Sequence, residues 1–205
     1  IKGVKMKSKL GFSFMILGLA TVLTAVFMVV WNVKRDYCTG KKSEEIFNII
    51  ESRIEDESSN SELIASGVSE NINIAAFDTI QIEEKNYIGT IEIPEIGINL
   101  PVLSEWNYNN LDIAPCLYYQ NENKLVIAAH NYSSHFGKIK NLSDGDYVIL
   151  KDVHNTQYIY EVCGTEILDS HDTEKMISGD WDMTLFTCTL SGTQRVVVRC
   201  RQYCP

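Results

Sequence analysis

Residues 184–199, TLFTCTLSGTQRVVVR, bring a thiol and a guanidinium together in a pattern that can do chemistry. An apolar segment runs into Cys188, a polar turn through Ser191 and Gly192 follows, and a second segment opens with Arg195. The β-branched run Val196, Val197 and Val198 favours a buried strand over a helix. Neighbouring strands would then hold Cys188 at the end of one and Arg195 at the start of the next. A thiolate can attack a carbonyl while a rigid cationic fork stabilises the charge developing beside it. The missing part is a proton donor, and His130, closing the apolar run 124–130, is the candidate.

Each of these residues has a competitor. His135 lies in the loop just after His130, and Arg199 shares a strand face with Arg195 because their spacing is even. A cysteine in an apolar strand is most often a small buried hydrophobe, and a histidine at a strand end is often a surface cap. Thr187, beside the thiol, is either a substrate-contacting residue or plain strand. Arg195 is preferred over Arg199 because it heads the strand nearest the turn.

The elements that must position these groups are short β-like runs at 87–93, 98–103, 116–119, 124–130, 146–151, 157–168, 183–188 and 194–201. Pro94 and Gly97, residues 121–123, Asp144-Gly145, Asn155 and Ser191-Gly192 separate most of them. Eight strands without a long helical pattern between them predict an all-β domain, one closed or nearly closed antiparallel-rich barrel. Longer connections at 104–115, 131–143 and 169–182 each have room for a short helix, and such loops usually carry the site. Trp106 and Trp181 fall in them, for ordinary packing or for lining a peptide groove.

Ahead of the barrel, residues 10–33 run without a charge, long enough to cross a hydrocarbon core of roughly 30 Å. A cleaved signal peptide would carry an apolar region of about 7–15 residues ending in small side chains. This run stays bulky through Val29, Val30 and Trp31, so a retained anchor is expected. Lys2, Lys5, Lys7 and Lys9 precede it and Lys34, Arg35, Lys41 and Lys42 follow, so flanking charge leaves the orientation nearly balanced. Ile46, Ile49, Ile50 and Ile54 recur at helical spacing, which predicts a short amphipathic helix over 43–57 with Ser43 as its N-cap. The polar stretch 58–73 reads as a spacer. The expected layout is a basic flank at 1–9, an anchor at 10–33, a juxtamembrane helix and spacer at 34–75, and the catalytic barrel at 76–205.

Charge is divided unevenly. Residues 1–42 carry a net of +7, which leaves −16 for residues 43–205 in a chain whose total is −9. A domain that acidic does not suit nucleic acid, since phosphate binding runs on Lys and Arg. The six cysteines form no metal-ligand spacing with the four histidines, so no metal or cofactor is expected. Cys200 and Cys204 have each other, Cys116 and Cys163 as alternative disulfide partners. The acids Asp169, Asp172, Glu174, Asp180 and Asp182 lack a fixed calcium-ligand spacing and fit a solvated loop better.

TLFTC at 184–188 resembles the TLxTC signature of sortases, the membrane-anchored cysteine transpeptidases of Gram-positive bacteria, and Arg195 stands where that family keeps its arginine. VIAAHN at 126–131 is similar to the family's histidine-bearing strand end, and IGTIEIPEIGINLPV at 88–102 to its opening strands. The resemblance implies an eight-stranded β-barrel and a two-step acyl transfer. Cys188 would attack the threonine carbonyl of an LPxTG-like sorting signal, with His130 as acid and base and Arg195 at the oxyanion. A primary amine from a cell-wall precursor or a pilin lysine would resolve the thioester. It also places the catalytic domain outside the cell on a single-pass anchor. Nothing before residue 87 matches the aspartate-aromatic lid of many pilin-building members, since Phe77-Asp78 has the reverse order. The 169–182 connection is too short for the long helical insertion of the haem-protein-anchoring class. A papain-like hydrolase would place its nucleophile ahead of the histidine, the opposite of the order here. The non-enzymatic alternative is a membrane-tethered β-barrel binding module whose cysteines are structural.

Overall fold

A computed structural model describes residues 2–60 and 77–203, and within the first helix the side chains of 10–55. Helix α1 spans Lys2–Asn60. The nine strands are β1 (Ile80–Ile82), β2 (Lys85–Ile93), β3 (Ile98–Leu103), β4 (Cys116–Asn121), β5 (Lys124–Ala128), β6 (Tyr147–Asp152), β7 (Gln157–Asp169), β8 (Met183–Cys188) and β9 (Gln194–Gln202). Helix α2 (Tyr108–Leu111) lies between β3 and β4, a 3₁₀ segment (Phe136–Asn141) between β5 and β6, and α3 (Thr173–Ile177) between β7 and β8. All three long connections therefore carry the short helices that their length allowed.

The chain divides into two compact units, 1–38 and 39–205. The first is helical, and the stretch of α1 from Leu10 has a window of mean hydropathy 2.4 with no residue of it buried. By length and composition it can cross a membrane.

In the second unit the strands follow the order β1-β2-β3-β4-β5-β8-β9-β7-β6, and pairing of β2 with β6 closes β2–β9 into an eight-stranded barrel. Six of its eight seams are antiparallel; β3–β4 and β5–β8 run parallel. Alternation sends Ile91, Ile93, Leu125, Ile127, Leu150, Leu185 and Val198 to the interior, where they pack into one cluster. The seam between β2 and β6 depends on Gly89. Its φ is +143°, and a Cβ there would stand 1.9 Å from the Lys151 carbonyl oxygen, so only glycine lets the two backbones meet.

A second apolar layer covers the outer face of the barrel. Phe186, Val197, Val126 and Ala128 pack there with Leu111, Met176 and the barrel-facing stripe Ile46, Ile50 and Ile54 of α1. Each of those three isoleucines is at most 3% exposed, and burying such a side chain contributes about 2 kcal/mol. Glu51 adds polar anchorage, its carboxylate accepting from Lys151 Nζ at 2.8 Å and Thr90 Oγ1 at 3.1 Å.

Two local expectations are corrected. Ser43 is not an N-cap: α1 continues straight through it, and its side chain is fully buried against the barrel. β1 was not expected, because its hairpin to β2 turns on Glu83 and Glu84, both at positive φ without glycine or asparagine to mark them. Most of the spacer expected at 58–73 lies outside the described residues.

Candidate active site

The thiol ends an alternating strand. Along β8, Met183 and Leu185 enter the interior while Thr184, Phe186 and Cys188 share the outer face, which leaves Cys188 half-buried at the rim. All five described cysteines are free thiols. Burial pushes the Cys116 thiol up to about 12 and raises Cys200 as well, so both stay protonated at neutral pH. Cys200 is thus no disulfide partner among the described residues, and Cys204 lies outside them.

The histidine follows the strand that pairs in parallel with the thiol's own. Leu125, Val126, Ile127 and Ala128 of β5 pair in sequence with Met183, Thr184, Leu185 and Phe186 of β8. The Ala129 amide extends the ladder by donating to the Phe186 carbonyl at 3.2 Å. β5 ends at Ala128 with His130 two residues beyond it, and β8 runs two residues past Phe186 to Cys188. Across the other seam of β8, Cys188 and Arg195 are directly opposed Cα partners. Cys188 and Arg195 are thus paired across adjacent strands, and His130 follows the end of the strand on the other side of β8.

Thr187 fixes this alignment. It is 2% exposed, and its Oγ1 donates to the Ala129 carbonyl at 2.8 Å, pinning β8 to the residue before His130. With its hydroxyl engaged there, Thr187 reads as a brace between strands more readily than as a substrate contact. It nonetheless borders the cavity of about 540 Å³ that opens beside Cys188, with Asn131, Lys138, Ser191 and Val196 on the other walls.

His130 has a carboxylate partner that carries no motif in the sequence. Its Nε2 lies 3.1 Å from Asp112 Oδ1. Asp112 ends the α2 loop, whose shape is set by Asn107, capping the Asn110 amide at 2.8 Å, and by Asn110, donating to the Glu105 carbonyl. On its other side His130 packs against the Tyr132 ring, 4.9 Å between centroids. The rival histidine, His135, is fully buried with its Nε2 3.1 Å from Ser43 Oγ, so it is not available to a substrate.

The two arginines differ in the same way. Arg199 is 5% exposed. Its guanidinium donates to Glu166 at 2.7 Å, to the carbonyls of Met176 and Lys175, and to Thr184 Oγ1 at 2.9 Å. It is bound into the wall that carries α3. Among the described residues the Arg195 guanidinium donates to the backbone carbonyls of Gly192, in the exposed turn after β8, at 3.0 Å and of Gln194, at the start of β9, at 3.1 Å.

Other residues singled out in the sequence are otherwise engaged. Asp169 accepts from His171, Asp172 from Lys175, Asp180 from Arg201 and Asp182 from the Gln202 amide. Among the described residues no three His, Cys, Asp or Glu side chains converge on a metal-sized site. Phe77 packs edge-on against Tyr158, and Asp78 pairs with His154 at 2.8 Å. Trp181 lies under the Arg201 guanidinium, 5.4 Å away. Trp106 joins a ladder of rings that sequence reading missed: it meets Tyr108 and Tyr118, and Tyr118 stands edge-on to Phe186. That ladder leads along the outer face to within two residues of Cys188 on β8. Its rings come from the α2 connection, β4 and β8, too far apart in the chain to give a periodic signal.

The family model of the Sortase domain matches residues 91–203. The chain is similar to Sortase A of Bacillus anthracis, 26% identical over 167 residues that span 74% of this chain and 75% of that protein. Among solved structures it is similar to Listeria monocytogenes sortase A, 26% identical with a TM-score of 0.52 over 58% of this chain and 88% of that one. A Clostridium perfringens sortase D5 transpeptidase matches in fold, 20% identical with a TM-score of 0.52 over 83% of this chain and 99% of that one.

Proposed function

Because the chain belongs to the sortase family, whose members are cysteine transpeptidases, we propose that Cys188 is the nucleophile of such an enzyme, with His130 as acid and base and Arg195 at the oxyanion. The observation that carries this reading is the direct pairing of Cys188 with Arg195 across β8 and β9, with His130 two residues past the end of β5 on the other side of β8. A sulfur there is half-exposed beside an open cavity, and a thiolate is nucleophilic enough to open a peptide bond.

The substrate is an LPxTG-like sorting signal. The Cys188 thiolate adds to the threonine carbonyl carbon, and the carbonyl oxygen takes the negative charge. Arg195, whose guanidinium donates to the Gly192 and Gln194 carbonyls, swings onto that oxygen or onto the substrate backbone; preorganised donors of this kind are worth roughly 3–4 kcal/mol. The imidazolium of His130 protonates the departing amine, leaving an acyl thioester on Cys188. The neutral imidazole then deprotonates an incoming primary amine, which attacks the thioester and restores the thiolate. Asp112 holds the ring through Nε2 and stabilises the imidazolium that gives up its proton in the first step and is re-formed in the second. The apolar part of α1 anchors the enzyme as a single span with the barrel outside the cell, where it attaches proteins to the wall or joins pilin subunits.

The test is mass spectrometry of the full chain after incubation with a small library of sorting-signal peptides. The wild type should gain the mass of the amino-terminal peptide fragment on Cys188, and Cys188→Ala should gain none. No adduct with any peptide, or an adduct on another residue, defeats the reading.

A further inference from the structure

Ser43 sits at the centre of a set of contacts that the reaction just described does not use. It is fully buried on α1, yet a mid-helix serine facing a barrel has no stabilising role there by propensity. Its Oγ donates to the carbonyl of Ile113, the residue after Asp112. The same oxygen lies 3.1 Å from His135 Nε2. Since the single hydroxyl proton goes to Ile113, the oxygen accepts from His135, and the ring proton therefore sits on Nε2. His135 in turn packs on Tyr132, 5.8 Å between centroids, and Tyr132 packs on His130 at 4.9 Å.

Both supports of the catalytic imidazole thus end at one hydroxyl. Through Ile113 it holds the segment that carries Asp112; through His135 and Tyr132 it holds the loop that flanks His130 on the other side. The fit of helix to loop is close as well: a Cβ on Gly40 would stand 2.6 Å from the Ser134 side chain. We propose that the carboxy-terminal part of α1 is a positioning element for the catalytic histidine, and that Ser43 is the residue through which it acts. The proposal rests on His130 being the acid and base of the reaction above. It makes the helix that continues from the anchor part of the working enzyme.

The experiment compares Ser43→Ala with Ile50→Val in the full chain. The second variant loosens the same helix by removing one buried methyl and leaves the hydroxyl alone. Ser43→Ala should lower kcat for thioester formation about tenfold with KM within about twofold of the wild type, since a small displacement of a reacting group costs rate and not peptide binding. Ile50→Val should keep kcat within about twofold. In Ser43→Ala the ring carbon–proton resonances of His130 should also move, and in Ile50→Val they should stay. Equal losses of kcat in the two variants, or unmoved His130 resonances in Ser43→Ala, overturn the proposal.

If Ser43→Ala does not fold, the pair His135→Gln and His135→Leu decides. Glutamine places an N–H near the Nε2 position and should retain at least about half of the wild-type kcat, while leucine should fall about tenfold; equal rates for the two overturn the proposal. A wild type that forms no thioester refutes the proposed function, and the His130 resonances then still report whether Ser43 positions the ring.

Discussion

Arg199 stands four residues beyond Arg195 on the same face of β9, and its guanidinium is buried while that of Arg195 is turned to the exposed turn. The two side chains that alternate equally well in sequence are separated by their surroundings. Arg199→Ala should therefore destabilise the barrel by about 3 kcal/mol, because it strands Glu166, Thr184 and two carbonyls. Arg195→Ala should change unfolding by less than about 0.5 kcal/mol yet cut kcat/KM by about 10²–10³. Urea unfolding and peptide-cleavage kinetics on both variants separate the cases; a stable, inactive Arg199→Ala beside an active Arg195→Ala would reverse the assignment.

Asp112 is the second residue with a measurable role. Its carboxylate is partly exposed at 42%, so its hold on His130 is weaker than that of a buried triad aspartate. Asp112→Asn should reduce kcat about tenfold, far less than the roughly 10⁴ seen when such a buried aspartate is replaced. Steady-state kinetics with a sorting-signal peptide test this, and unchanged kcat would remove Asp112 from the site.

The thiols should differ sharply toward an alkylating probe. At pH 8 a thiol held up to about 12, such as Cys116, has only about one part in 10⁴ as thiolate. Peptide mapping after brief labelling of the folded chain should find Cys188 and the exposed Cys38 modified, and Cys116 and Cys200 unmodified. Rapid labelling of Cys116 would show that its pocket opens.

The same raised groups set an alkaline limit. Burial lifts Cys116 from 9.0 and Tyr87 from 10.0, each to about 12. The folded chain holds these protons more tightly than the unfolded chain, so the stability they confer is present below pH 9 and is lost as pH rises from 9 towards 12. The urea midpoint should fall across that window. A midpoint that rises there would contradict the burial of these groups.

Gly89→Ala should fail at the barrel seam. Its methyl would meet the Lys151 carbonyl while the backbone holds a φ of +143°, and a cost of at least about 3 kcal/mol follows. Circular dichroism during thermal unfolding measures it; a native-like midpoint would mean that β2 and β6 can part without loss.

The barrel was legible because each strand obeys a period of two and because Pro, Gly, Asn and Asp mark most turns. The exceptions have physical reasons. Glu83 and Glu84 turn the β1–β2 hairpin without a turn residue, so β1 left no mark. Ser43 has the right residue type for a cap, but nothing around it in sequence tells that the helix runs on in both directions. Cys188 and Arg195 were readable together because one short turn joins their strands. Asp112 was not, since it meets His130 only after the α2 loop folds against β5, and no local pattern encodes that meeting.

The parallel seam between β5 and β8 has a further consequence. Side chains alternate along β8, so slipping it by a single position would point residue 188 inward and bring Thr187 to the outside. A misthreaded molecule would hide its sulfur altogether. Counting accessible sulfur at that position is thus a census of correctly woven barrels, obtainable before any peptide is added.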